Sequence, residues 1–260
     1  MQFSGAQAAE FIQVLRPTLD ANNLTHIQIN CCDTMGYNVM NSFLNQMRGV
    51  EDMMGVATGH SYTSSPTSPL STSLKSWQTE AADNNGAWTS LWSQGGGAGE
   101  GMTLANNIHT AVTAGNVSAY LYWIGGQDRP SNTNSKMIRV VNGAVEPSKR
   151  LWALGNWSRF VRPGAVRVGA EGGGLRTSAF VNVDGALAVQ VINGGGEQVV
   201  TIGISGGEEY VGASATAWVT DNERDCDEIP ASVGEDRMVS GGVPARSMVT
   251  FVILPASGDL

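Results

Sequence analysis

The sequence predicts an α/β half followed by an all-β half, and three observations carry that expectation. Helical and strand-like segments alternate as far as Pro163-Gly164, helical periodicity disappears beyond that point, and the turn signals Asp184-Gly185 and Gly194-Gly195-Gly196 then separate short apolar runs. Alternating strands and helices build a parallel sheet, whereas consecutive short strands build a sandwich. The expected division is therefore residues 1–162 and residues 163–260, the second part an antiparallel β-sandwich.

Each element has its own warrant. Ser4 and Gln7 form a capping-box pair, and Ala8, Phe11, Ile12, Leu15 and Leu19 recur at helical spacing, so residues 4–19 read as a helix. A strand is expected over 25–31, a helix over 40–47 and a strand over 55–58 that ends in Gly59-His60-Ser61-Tyr62. A Ser/Thr/Pro-rich loop leads to a strand over 74–79 ending at Glu80, and the Gly-rich loop 95–101 precedes a helix over 103–114. A strand over 117–124 and a helix over 147–160 complete this half. Beyond Pro163, strands are expected over 178–183, 186–192, 198–204, 214–220 and 246–254. The first half thus holds four strands of a βα barrel and begins with a helix whose preceding strand is absent. A closed eight-stranded barrel takes about 250 residues, so either the sheet is open or the chain begins in the middle of a barrel.

Composition narrows the function. A net charge of −8 leaves no basic footprint for nucleic acid. No apolar run approaches the roughly 20 residues that cross a bilayer, so no membrane span is expected. Met1 to Gly5 lacks the basic and apolar regions of a signal peptide. Asn23, Asn116 and Asn156 head N-x-S/T sequons, which matter only in a secreted chain. Cys31, Cys32 and Cys226 have no zinc-site spacing and allow at most one bridge. Gly95 to Gly101 lacks the Lys-Ser/Thr ending of a phosphate loop. No metal or cofactor is expected.

In a parallel barrel, chemistry sits at the carboxyl ends of the strands. Here those ends carry Cys31-Cys32-Asp33, His60-Ser61-Tyr62, Glu80 and Trp123. A carboxylate, an imidazole, a phenol and a large aromatic around one mouth are the inventory of a sugar site. Every assignment has a competitor. An isolated Glu80 reads first as a solvated strand-end carboxylate, a reading that its context reverses, while His60 and Tyr62 read also as a satisfied pair and Trp123 as a core aromatic. Trp88 and Trp92 follow Glu80 in a loop where exposed indoles would suit neighbouring sugar subsites, or they form a helical i, i+4 pair packed inward. Glu100 reads as a polar loop residue, and His109 as lying on a solvated or interhelical face.

Trp77-Gln78-Thr79-Glu80 resembles the nucleophile strand of glycoside hydrolase family 30, in its fungal branch containing xylanases. Cys31-Cys32-Asp33, Gly59-His60-Ser61-Tyr62, and the run from Leu154 to Gly164 through Asn156-Trp157-Ser158-Arg159-Phe160 agree, as does Ser247 to Val252. The resemblance implies a (β/α)8 TIM barrel, of which this chain holds the second half, strands 5 to 8, followed by the side β-sandwich. It also implies retaining hydrolysis by two glutamates, with Glu80 as nucleophile and an acid/base in an Asn-Glu-Pro motif on strand 4. No Asn-Glu-Pro occurs here, and Val145-Glu146-Pro147 falls after strand 8. The expectation is the carboxyl-terminal part of a longer, secreted enzyme, inactive alone and open to self-association through its barrel edges. Its expected substrate is plant cell-wall polysaccharide, foremost β-1,4-xylan. The alternatives are an endo-β-1,6-galactanase or another β-glycosidase of the family, or a noncatalytic carbohydrate-binding protein. The last would need clustered aromatics on the sandwich, where only Tyr210 and Trp218 occur after Gly164.

Overall fold

The computed structural model describes residues 3–206, 210, 214–234 and 238–255. Their contacts group them into two units, one running through Ala82 and including Thr110–Ile124, the other holding Asp83–His109 and the chain from Gly125 onward.

In the first unit α1 (Gly5–Ala21) opens with the expected capping box at Ser4 and Gln7 and buries Ile12. Strand β1 (Asn30–Thr34) follows, then α2 (Met40–Asn45), β2 (Val56–His60) and β3 (Lys75–Glu80); the chain returns to this unit at Thr110, in the last turn of α3 (Gly101–Thr113), and adds β4 (Ala119–Tyr120). The four strands form one parallel sheet in the order β1-β2-β3-β4. Ile12, Ile29, Tyr37, Met40, Leu44, Met47, Ala57 and Val117 form the core against it. Tyr37 donates to or accepts from Ser76 at 3.2 Å, and burial, only partly offset by that bond, pushes its phenol up to about 12.

Two strands depart from expectation. The first lies over 30–34, beyond the expected 25–31, because Arg16 of α1 claims the carbonyls of Leu24 and Ile27 at 3.2 and 2.7 Å. Those groups are then lost to a ladder. The fourth shortens to Ala119–Tyr120, although Leu121 still donates to the Gln78 carbonyl at 2.8 Å and Trp123 to the Ala81 carbonyl at 3.0 Å. The backbone therefore stays beside β3 without continuing a regular ladder.

In the second unit, residues 84–100 contain no helix. Strands β5 (Gly126–Asp128), β6 (Ile138–Val141) and β7 (Ala144–Pro147) form a small sheet absent from the expectation. Its β6–β7 hairpin turns on Asn142 and Gly143, both with positive φ, 51° and 81°. Helix α4 (Lys149–Ser158) follows.

Strands β8 (Val166–Val168), β9 (Arg176–Val181), β10 (Leu187–Asn193), β12 (Ser214–Thr220), β13 (Asp225–Ile229) and β16 (Ser247–Leu254) form a six-stranded antiparallel sheet in the order β13-β12-β16-β10-β9-β8. The sheet β11-β15-β14, from Gln198–Ile202, Val239–Val243 and Ala231–Val233, packs with it around Val189, Val191, Val219, Val239 and Phe251. Every residue of β10 is buried. One face of this sheet meets the second sheet; the other meets α4, whose Trp157 ring stands edge-on to Phe180 at 6.1 Å. Asn156 locks that contact, donating to Thr220 Oγ1 at 2.6 Å and accepting from Thr250 Oγ1 at 3.1 Å. A strand covered on both faces has no reason to alternate polar and apolar residues.

Candidate active site

The parallel register brings the candidate residues to one end of the first unit's sheet. His60 pairs with Glu80, after a register shift between Gly59 and His60, and a second shift separates Cys32 from Thr34 in the β1–β2 pair. Such irregularities re-aim side chains at strand ends. Ser61 donates its backbone N–H to the Glu80 carbonyl at 2.8 Å, fixing the two ends together.

Three side chains surround the Glu80 carboxylate and its neighbour Asp33. Tyr62 Oη donates to Glu80 Oε1 at 2.5 Å, a length typical of an O–H donor on an ionised acceptor. His60 Nε2 stands 3.8 Å from Glu80 Oε2 and 3.8 Å from Asp33 Oδ1. Thr79 Oγ1 donates to Asp33 Oδ1 at 2.6 Å. The His60 and Tyr62 rings meet edge-on, 5.7 Å between centroids. The Glu80 side chain is 25% exposed, so it is shielded yet open to a reacting molecule. Tyr62 holds one oxygen, which leaves Oε2 as the one free to attack an electrophile. Trp123, tied through its N–H to Ala81, is 49% exposed one strand away. The sheet thus brings His60, Tyr62 and Glu80 together with Asp33 and Thr79. Thr79 was the residue that sequence reasoning passed over, although its place beside Glu80 in the same motif was the available signal.

The two loop indoles do not behave as expected. Trp92 is wholly buried, its Nε1 donating to the Arg246 carbonyl at 2.8 Å and its backbone N–H to Asn222 Oδ1 at 2.9 Å. It anchors its loop within the second unit and offers no face to a sugar, and it belongs to no helix. Trp88 is half-buried, with the guanidinium groups of Arg139 and Arg150 at 4.7 and 4.8 Å from its ring centre. Those cations occupy the face that stacking would use.

Glu100 is more than a polar loop residue. Its carboxylate accepts the backbone N–H groups of Gln94, Gly95, Gly96 and Gly97 at 2.9 to 3.2 Å. Burial pushes its pKa up, but the four donors outweigh that and hold it below the usual carboxylate range. The Gly-rich loop does form an anion-binding nest, and the chain's own carboxylate fills it. His109 is kept below its ordinary value by burial and then by the charge of Arg176. Cys31 and Cys32 are bridged to each other, and Cys226 is free and buried. Among the described residues no group of three His, Cys, Asp or Glu is arranged to hold a metal, and no helix is long and apolar enough to cross a membrane.

Comparison with known proteins adds the family. Residues 164–251 match the glycosyl hydrolase family 30 β-sandwich domain. The catalytic domain of the family 30 xylanase C from Talaromyces cellulolyticus superposes with a TM-score of 0.88 at 35% identity, over 97% of this chain and 58% of that one. A family 30 subfamily 8 xylanase from Clostridium acetobutylicum, 20% identical with a TM-score of 0.74, and a family 30 endoxylanase from Clostridium papyrosolvens, 19% identical with a TM-score of 0.71, share the fold. This chain covers 97% of its own length and 61% of each of those two. The parallel sheet followed by antiparallel sheets is accordingly part of a TIM barrel joined to a β-sandwich, and the chain belongs to glycoside hydrolase family 30, corresponding to the carboxyl-terminal portion of that architecture.

Proposed function

We propose that this chain carries the nucleophile of a retaining glycoside hydrolase acting on xylan, and that the nucleophile is Glu80. The observation that carries the reading is the Glu80 carboxylate itself: at a strand end of the parallel sheet, partly shielded, with one oxygen held by Tyr62 at 2.5 Å and the other facing His60. In this reading residues 1–162 are the partial catalytic barrel and 163–260 the side domain. Xylan is the preferred substrate because the 35% identical relative is a xylanase; an endo-β-1,6-galactanase or another β-glycosidase of the family is the alternative. A polymer is met outside the cell, which places the working enzyme there.

Retaining hydrolysis is a double displacement. Oε2 of Glu80 attacks the anomeric carbon as the glycosidic oxygen leaves with a proton from an acid, giving a covalent ester. The same acid group, now a base, takes a proton from water as that water displaces Glu80. Tyr62 keeps the carboxylate aimed, and Trp123 offers a half-exposed indole for the sugar under attack. The acid must lie about 5 to 5.5 Å from the nucleophile. Asp33 is the one described carboxylate beside the cluster, and its Oδ1 is already taken by Thr79, so we assign the acid/base to residues outside this chain. Residues 1–260 alone then have no xylanase activity. In a full-length family 30 enzyme carrying these residues, the reading predicts β-configured first products by NMR and turnover abolished by Glu80→Gln. Inverted products, or an active Glu80→Gln enzyme, would overturn it.

The noncatalytic alternative finds little support in the sandwich. The Trp218 ring has the Arg159 guanidinium 3.8 Å from its centre and lies against Phe160 at 5.6 Å, so it offers no open platform.

A further inference from the structure

We infer that Asp33 is a substrate-contact residue, accepting a hydrogen bond from a hydroxyl of the leaving-group sugar, the one on the far side of the bond that Glu80 breaks. The inference rests on the assignment of Glu80 as nucleophile and goes beyond it to how the enzyme reads its leaving group.

Four observations carry it. The sheet order β1-β2-β3-β4 puts Glu80, at the end of β3, between Asp33 on one flank and Trp123 on the other. His60 Nε2 stands 3.8 Å from both carboxylates, so Asp33 lies within reach of a sugar bound beside the one that Glu80 attacks. If the sugar under attack lies toward the indole, its leaving neighbour lies toward Asp33. Second, the carboxylate is both fixed and available. Thr79 holds Oδ1 at 2.6 Å, Oδ2 has no partner among the described residues, and the side chain is 57% exposed. Third, Asp33 adopts a φ of 51° and donates its N–H to Thr58 Oγ1 at 3.2 Å. Left-handed backbone at a non-glycine residue persists where surroundings enforce it, and such residues cluster at functional sites. Fourth, the contact to His60 Nε2, at 3.8 Å and beyond hydrogen-bond reach, is made by Oδ1, the oxygen that Thr79 already holds, so it does not engage Oδ2. A pre-aimed carboxylate oxygen with no donor of its own is an acceptor for a sugar hydroxyl.

The test separates substrate contact from support of the site. Asp33→Asn keeps an oxygen for Thr79 but places an amide where Oδ2 stands. In a full-length family 30 enzyme carrying these residues, kcat/KM is measured on xylotetraose and on an activated aryl xylobioside whose leaving group bears no hydroxyl. The inference predicts that Asp33→Asn lowers kcat/KM on xylotetraose by about 10- to 100-fold, as expected for loss of a hydrogen bond to a charged group, and at least tenfold less on the aryl substrate. Equal losses on both would mean that Asp33 only holds Thr79 and His60 in place; no loss on either would remove it from the site, and both results overturn the inference. Modified substrates check the same point. Replacing the leaving-group hydroxyls by hydrogen one at a time should cost the unmodified enzyme a similar factor at one position, and that cost should vanish in Asp33→Asn. A parent enzyme that hydrolyses neither substrate refutes the xylan reading on which the inference rests, a failure distinguishable from those above.

Discussion

Replacing Tyr62 by Phe removes the phenol that donates to Glu80 Oε1 and leaves the ring that meets His60 edge-on. Two effects of the change oppose each other. A hydrogen bond from a neutral donor to a partly buried carboxylate is worth about 1.5 to 3 kcal/mol, so the freed carboxylate is intrinsically a stronger nucleophile, but only a fraction of that energy reaches the rate. Against it, the carboxylate can rotate once nothing holds Oε1, and a misplacement of about 1 Å at a reacting atom costs on the order of 100-fold. Loss of aim wins, and formation of the covalent intermediate should slow about 10- to 100-fold. The assay is pre-steady-state release of the leaving group from an activated xyloside by the full-length enzyme, which isolates the first displacement. A burst within twofold of the parent's, or faster, would refute the claim that Tyr62 acts by positioning Glu80.

Trp123→Ala should cost about 1 to 3 kcal/mol in transition-state binding, read as a fall in kcat/KM with an unchanged melting temperature; normal hydrolysis would make the indole peripheral. Glu100→Gln should destabilise the Gly-rich loop by about 1 to 3 kcal/mol at neutral pH, measured by urea unfolding. Because the folded state holds that acid below its usual 4.5, its contribution is complete above that value and disappears as pH falls through the folded one. The gap between parent and variant should therefore close on acidification. Strands β1 and β4 each pair with one neighbour among the described residues, and open edges recruit other strands. Light scattering on residues 1–260 alone should find self-association, and a monodisperse monomer would refute it.

The parts of this molecule written in local sequence were legible. The capping box of α1 involves residues three apart and is where the spacing puts it, and the strand ends carrying His60, Tyr62 and Glu80 follow from period and register. Local signals were also missed. Asn142-Gly143 between apolar residues is a hairpin signal, and it marks the β6–β7 turn. Strand β15 was obscured because Gly241 and Gly242 weaken any strand pattern; a Cβ at Gly241 would stand 2.6 Å from the Phe251 ring, so packing and not propensity dictates glycine there. Other features lay beyond any local reading. The burial of Trp92 depends on the Arg246 carbonyl, 154 residues away, and the displacement of β1 depends on Arg16 reaching across the turn after its own helix. The ending of the Gly-rich loop lacks the Lys-Ser/Thr of a phosphate loop, but the identity of the anion it holds required seeing four N–H groups converge on Glu100.

The central claim is that the Glu80 carboxylate forms the bond to sugar, and one measurement addresses it directly. A retaining enzyme treated with an activated 2-fluoro xyloside accumulates its glycosyl ester, because the fluorine slows both displacements while the activated leaving group speeds only the first. Peptide mass spectrometry of the full-length enzyme carrying these residues should find the added sugar on the peptide containing Trp77-Gln78-Thr79-Glu80, with fragmentation placing it on Glu80. A label on any other residue, or none while turnover continues, would contradict the account.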